Sequence, residues 1–190
     1  MPPGVSREEF FESICPPLPD NHEVPQGEPP EAGPREDFQR WVRENWGEED
    51  WRLHRWAYCR LTEQVDREIG RLLDAVRAAG LEEETVVIFA SDHGDMDAAH
   101  RLEHKPYFYD EASRVPFIVS WKGITQPGGV DTRHPVSAAA DLLPTMCHFA
   151  GIDAPDDLPG GSVAALSEGR DDPNWRTHVP VERYNGRMIR

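Results

Sequence analysis

Basic residues are scarce in this chain: 20 lysines and arginines stand against 35 aspartates and glutamates, giving a formal net charge of -15 over 190 residues. That balance argues against a nucleic-acid-binding surface, which needs clustered Lys and Arg to neutralise phosphates. Long apolar runs are also missing. No stretch approaches the roughly 20 residues that span a bilayer as a helix, so no membrane partner is expected. The N-terminus, "MPPGVSREEFFESICPPLPD", has no basic region followed by an apolar one and so shows no secretory signal. Compartment stays open; the periplasm or the extracellular space is compatible with a full-length protein. Cysteine is limited to Cys15, Cys59 and Cys147, far apart and without CxxC spacing. They are too few for a disulfide framework and wrongly spaced for a zinc site. The length suffices for one domain with a sizeable core.

Proline is what the N-terminus has in excess. "CPPLPDNHEVPQGEPPEAGP" lacks backbone donors and biases its residues away from helix, so the stretch from Pro2 to about Pro34 reads as an extended surface segment or linker. Residues 1–50 are thus expected to be a proline-rich extended segment with short helices. One such helix is "SREEFFESI", with Ser6 as cap and Glu9 in the capping-box position.

Periodicity then turns helical. Leu61, Val65, Ile69, Leu72, Leu73 and Val76 recur at spacings of three and four, and Gly80 suits a left-handed C-cap. Next comes "TVVIFAS", Thr85 to Ser91, with the length and β-branching of a strand buried on both faces. A helix leading into such a strand predicts an α/β fold with a mostly parallel sheet flanked by helices. "VPFIVSW", Val115 to Trp121, repeats the strand signal. "PVSAAADLLPTMCHFAG" reads as a helix, kinked at Pro144 or starting anew near it, with Gly151 as terminator.

Chemistry concentrates after the first strand. "SDHGDMDAAHRLEHK", Ser91 to Lys105, holds three histidines, four acids, an arginine and a lysine. In open α/β sheets ligands bind where strands end. Asp92 and His93, followed by Gly94, are able to present two donors to one cation. The alternative is a polar loop in which Asp92 caps the following turn. Trp51 and Trp56 are core residues at helical spacing or, alternatively, a wall for stacking sugars.

The succession of "VDREIGRLLDAVRAAGLEEETVVIFASDHGD", His100 and Lys105, "YDEASRVPFIV", "VSAAADLLPTMCHFAGI" and "GGSVAAL" resembles the sulfatase family of the alkaline-phosphatase-like superfamily. The resemblance runs from about Trp56 to about Glu168. It implies that residues 51–170 form part of a metal-dependent hydrolase domain and that residues 171–190 begin a C-terminal region. By the same resemblance Asp92 and His93 ligate the divalent cation, calcium by family usage, with manganese or zinc better suited to the imidazole nitrogen. Lys105 contacts the sulfate ester and neutralises charge as the S–O bond breaks. His100 and His104 donate a proton or contact the substrate, unless they are merely solvated. Asp141 and Pro144 in "ADLLPT" resemble a structural stretch in which the carboxylate caps a helix starting near Pro144.

The implied substrate is a sulfated carbohydrate or another sulfate ester. A phosphodiesterase or phosphonate monoester hydrolase of the same superfamily, and an inactive fragment or scaffold, are the alternatives. The family's nucleophile, a Cys-x-Pro-Ser-Arg motif, has no counterpart in this sequence. Cys15 has Pro17 two positions on, but Leu18 and Pro19 stand where Ser and Arg belong. The expectation is a chain corresponding to the C-terminal half of a catalytic domain, with exposed strand edges and apolar faces and no turnover by itself.

Overall fold

A computed structural model describes residues 1–183 and 186–190. In chain order it contains α1 (Arg7–Glu9), a π-helical turn (Phe10–Ile14), α2 (Asp37–Asn45), α3 (Glu48–Ala78) and β1 (Val86–Ala90). A 3-10 turn (Ala99–Arg101), α4 (Asp110–Ser113), β2 (Phe117–Trp121), α5 (Ala138–Ala150), α6 (Ala164–Ser167), β3 (Pro180–Arg183) and β4 (Gly186–Ile189) follow. The chain divides into two compact units: Met1–Arg71 with Gly94–Arg114, and Leu72–His93 with Val115–Arg190. Two residues of the C-terminal stretch, 184 and 185, lie outside the described residues.

In the first unit, the proline-rich segment is extended but not superficial. Phe10 is fully buried, and Cys15 and His22 are buried with it. Ser6 caps α1 as its sequence suggests, its Oγ accepting from the Glu9 N–H at 3.1 Å. Trp51, fully buried at the start of α3, packs with Val42 of α2 and Ala98 of the loop, with Leu18 and Trp46 against them. Trp46 meets Trp51 edge-on at 4.8 Å, and Phe10 meets Trp56 edge-on at 5.3 Å. Trp51 is thus a core residue, and Trp46 and Trp56 are half-buried against it and against Phe10, as aromatic side chains at helical spacing usually are. Arg52 donates from Nε to Pro16 O and from Nη2 to Cys15 O, both at 3.0 Å, and also bonds Phe11 O.

The long helix α3 forms over the expected periodic stretch, and Gly80 beyond it takes the left-handed φ of 69°. Its apolar stripe is nevertheless open: Leu61, Val65 and Leu72 are each more than half exposed. Helicity there rests on good helix formers and on surface pairs such as Arg71 with Glu68 at 2.8 Å and Arg77 with Asp74 at 2.7 Å.

In the second unit, β1 pairs with β2 in register from Val86↔Trp121 to Ala90↔Phe117, and the ladder is antiparallel. Strands β3 and β4 also pair antiparallel. The expected mostly parallel sheet is therefore not seen in either ladder among the described residues. Parallel strands need a crossover that carries the chain back to the starting edge. Residues 91–116 contain a 3-10 turn and the four-residue α4 and make no such helical return. Phe89 and Ile118, opposite each other, stay partly in solvent.

Helix α5 runs unbroken through Pro144. Ser137 caps it, accepting from the Ala140 N–H at 3.3 Å. Asp141 is fully buried and does not cap a helix beginning at Pro144. Its Oδ2 accepts from the Ser137 N–H at 2.7 Å and its Oδ1 from the Gly161 N–H at 2.9 Å. The guanidinium of Arg176 meets both oxygens, at 2.8 and 2.5 Å. Pro144 cannot donate to the Ala140 carbonyl one turn back. Gly160 comes so close to that carbonyl that a Cβ would overlap it. The "LPGGS" turn therefore locks onto α5 through a carboxylate and a missing side chain. Replacing Asp141 with Ala leaves the Arg176 guanidinium and two amides without their acceptor. Urea unfolding should show a loss of about 3–5 kcal/mol, the cost of breaking a buried charge pair by removing one partner.

Candidate functional site

Strand β1 ends at Ala90, and Ser91 closes the turn by donating its hydroxyl to His93 O at 2.7 Å. Asp92 Oδ1 accepts from the N–H of the next residue, His93, at 3.0 Å. The Asp92 carboxylate is 84% exposed, and its Oδ2 lies 3.4 Å from His93 Nε2. The two proposed metal donors are thus adjacent and accessible. Two donors alone would not make a cation shell, since calcium takes 6–8 oxygens. Among the described residues no group of three or more His, Cys, Asp or Glu side chains is placed to hold a metal.

The next residue belongs to the other compact unit. Gly94 does not need a positive φ; it needs room. Its amide donates to Ala112 O at 2.9 Å, and a Cβ there would overlap the Glu111 carbonyl. From Gly94 the chain enters a loop of unusual backbone. Asp97, Ala98, His100, Arg101 and His104 all have φ between 43° and 74°. Non-glycine residues in this region cost roughly 1–3 kcal/mol each and persist where the surroundings fix them.

Those surroundings come from the proline-rich segment and from α2 and α3. His22 Nδ1 donates to Ala98 O at 2.7 Å, and the His100 amide donates to Asn21 O at 2.8 Å. Asn21 donates its carboxamide to Glu111 at 2.6 Å. Arg55 holds Asp97 at 3.1 Å and bonds Pro17 O. Burial raises the Asp97 pKa above the usual carboxylate range, and Arg55 only partly opposes that. The floor of the loop is Met96, Ala99, Leu102, Tyr107 and Ala112, all buried.

The three residues expected to meet the sulfate group, His100, His104 and Lys105, all belong to this loop. His104 Nε2 is 2.8 Å from Glu103 Oε2, and its Nδ1 is 4.0 Å from Asp95 Oδ2. Burial pushes the Glu103 carboxyl upward, with His104 pulling the other way. His100 stacks on Tyr109 with ring centroids 4.2 Å apart and planes at 34°. Its own Nδ1 is buried without a hydrogen bond. A residue that the sequence did not flag completes this corner. Glu28 binds the Arg43 guanidinium at 2.6 and 2.8 Å and accepts the Tyr109 hydroxyl at 2.8 Å. It lies among prolines and outside any helix, so no periodicity singled it out. Cys15 is no hidden nucleophile: its thiol donates to Arg52 O at 3.2 Å, and burial raises its pKa despite the nearby Arg52 and Arg55.

With this geometry in place, relatives become informative. A model of the sulfatase family matches residues 17–152, and the chain belongs to that family. It is 32% identical over 143 residues to a delta 4,5-hexuronate-2-O-sulfatase of Bacteroides thetaiotaomicron, covering 70% of this chain and 30% of that protein. Among solved structures it resembles a 2-O GAG sulfatase, with a TM-score of 0.81, 30% identity, and coverage of 93% of this chain and 41% of that one. A phosphonate monoester hydrolase of Agrobacterium radiobacter gives a TM-score of 0.63 at 31% identity, covering 72% of this chain and 27% of that one. The chain therefore spans less than a third of the length of such curated relatives.

The hydrogen bond from Tyr109 to Glu28 gives a pH signature. Burial first, and then the Glu28 carboxylate, raise the Tyr109 pKa from 10.0 to about 12. A pKa raised on folding means that the stabilisation is complete below the unfolded value. It is lost as pH climbs from about 10 to about 12. At pH 8, Tyr109→Phe should unfold in urea with about 1–3 kcal/mol less stability, as expected for a bond to a charged acceptor. The gap to wild type should close by pH 12.

Proposed function

We propose that this chain is the sulfate-binding portion of a carbohydrate sulfatase, with Lys105, His100 and His104 facing the ester and Asp92 and His93 contributing two ligands to a divalent cation. The observation that carries this reading is the "SDHG" turn at the end of β1, followed by a strained, heavily anchored loop bearing Lys105, in a chain matched by the sulfatase family over residues 17–152. Carbohydrate substrates are supported by relatives named for uronate and glycosaminoglycan sulfate groups. A sulfuryl group carries spread negative charge, which a lysine meets as a compact cation. Calcium is the proposed ion, and manganese or zinc the alternative. The residues present fit two positions of its shell. A second reading, a hydrolase of phosphonate or phosphate esters, is favoured by the likeness to the phosphonate monoester hydrolase.

The same reading holds that the chain alone does not turn over sulfate esters, because none of Cys15, Cys59 and Cys147 stands in a Cys-x-Pro-Ser-Arg context. The purified chain with millimolar calcium should release no phenol from an aryl sulfate, and calorimetry should show calcium binding no tighter than about 1 mM. Nuclear magnetic resonance titration with sodium sulfate should shift the Lys105 side-chain signals with a millimolar Kd. Read at the His100 and His104 ring signals, Lys105→Ala should weaken sulfate binding at least about fivefold, equivalent to roughly 1 kcal/mol. A parallel phosphate titration separates the two ester classes by which anion binds more tightly. Equal sulfate binding by Lys105→Ala would end the assignment.

A further inference from the structure

The backbone and the ring of His100 are held by separate contacts, and both lead to one carboxylate. The residue sits at φ 56°, ψ 24°, a conformation that needs external support. Arg43 Nη2 donates to His100 O at 2.9 Å. Arg43 is itself gripped at both of its terminal nitrogens by Glu28. The His100 ring lies on Tyr109, whose hydroxyl ends on the same Glu28. The Glu28 and Arg43 side chains are 10% and 13% exposed, so this fork is formed in a nearly dry setting. A bidentate guanidinium–carboxylate pair there is strong and geometrically specific. A carboxylate removed from this position would free both restraints at once.

We propose that Glu28 is a positioning residue, which acts through Arg43 and Tyr109 to fix His100 in the orientation used for binding the sulfate group. The proposal rests on the sulfatase reading of the Lys105 loop and extends it to the proline-rich segment. That segment thereby becomes part of the substrate-binding apparatus, though Glu28 itself touches no substrate. Charge matters as well as shape: a neutral amide cannot accept from both the guanidinium and the phenol through two oxygens.

The test compares wild type, Glu28→Gln, Glu28→Asp and Tyr109→Phe in the full chain, with sodium sulfate as the probe. Binding is read separately at the His100 ring and the Lys105 side chain by nuclear magnetic resonance, and Tyr109 ionisation by tyrosinate absorbance. In Glu28→Gln the His100 ring should lose its close contacts with Tyr109, and Tyr109 should ionise nearer the ordinary value of about 10. Sulfate-induced shifts at His100 should weaken about fivefold, with a smaller change at Lys105. Glu28→Asp should recover part of the His100 response, and Tyr109→Phe should lower it about twofold. A general loss of structure would instead reduce the His100 and Lys105 responses alike. That outcome, or a Glu28→Gln chain whose His100 response equals wild type, overturns the positioning role while leaving the sulfate site intact. A wild type that shows no sulfate response at either residue overturns the sulfatase reading and this proposal with it.

Discussion

A proline-rich segment brings carbonyls into a fold without bringing an equal number of amide donors, and buried carbonyls left unpaired are costly. The first compact unit is arranged around this shortage. Arg52 supplies N–H groups to Phe11, Cys15 and Pro16, and Arg55 supplies one to Pro17. The loop that follows Gly94 has the same need for a different reason. Its left-handed residues leave carbonyls outside any α-helix or ladder, so His22 donates to Ala98 O and Arg43 to His100 O, while Arg101 in turn donates to Trp46 O at the end of α2. Side chains with fixed, planar donors take the place of secondary structure. This explains how a segment with little regular structure can hold a loop in a strained shape.

Much of the local structure is legible in the sequence. The Ser6 cap, the α3 periodicity, the Gly80 and Gly151 terminators, and both central strands follow from short-range rules, and the strand limits move by a residue or two. What short-range rules miss is the direction of pairing. A buried apolar run looks the same in a parallel or an antiparallel ladder, so β1 and β2 gave no sign of their antiparallel register. Asp141 shows a different limit. Its motif suggests a cap, but its partners, Gly161 and Arg176, lie 20 and 35 residues away. Such pairings are invisible to a window of one helix turn.

The candidate site divides along the same line. "SDHG" is a contiguous signal, and the structure places the Asp92 and His93 side chains in contact. Lys105, His100 and His104 were legible as types and as an order, by resemblance to a family. Their support was not legible. Glu28 stands 72 residues before His100, and nothing in "QGEPPEA" distinguishes it from the other glutamates of an acidic chain. Only the fold, through Arg43 and Tyr109, gives it a partner.

A stretch this rich in carboxylates must also keep them from repelling one another. The Lys105 loop carries Asp95, Asp97 and Glu103 against Arg101 and Lys105. Two of these acids are handled by burial and pairing. Asp97 is desolvated against Arg55, and Glu103, whose side chain is 4% exposed, is desolvated against His104. Burial raises both pKa values, so each carboxyl keeps its proton to higher pH than it would in water. Asp95 turns one oxygen to the Asp97 amide at 2.8 Å, which spreads its charge into the backbone. Asp92 is treated in the opposite way: it is left 84% exposed, where a carboxylate is free to meet a cation from solvent. The acids of this stretch thus differ in depth: Asp97 and Glu103 are desolvated and paired, whereas Asp92 lies open to solvent.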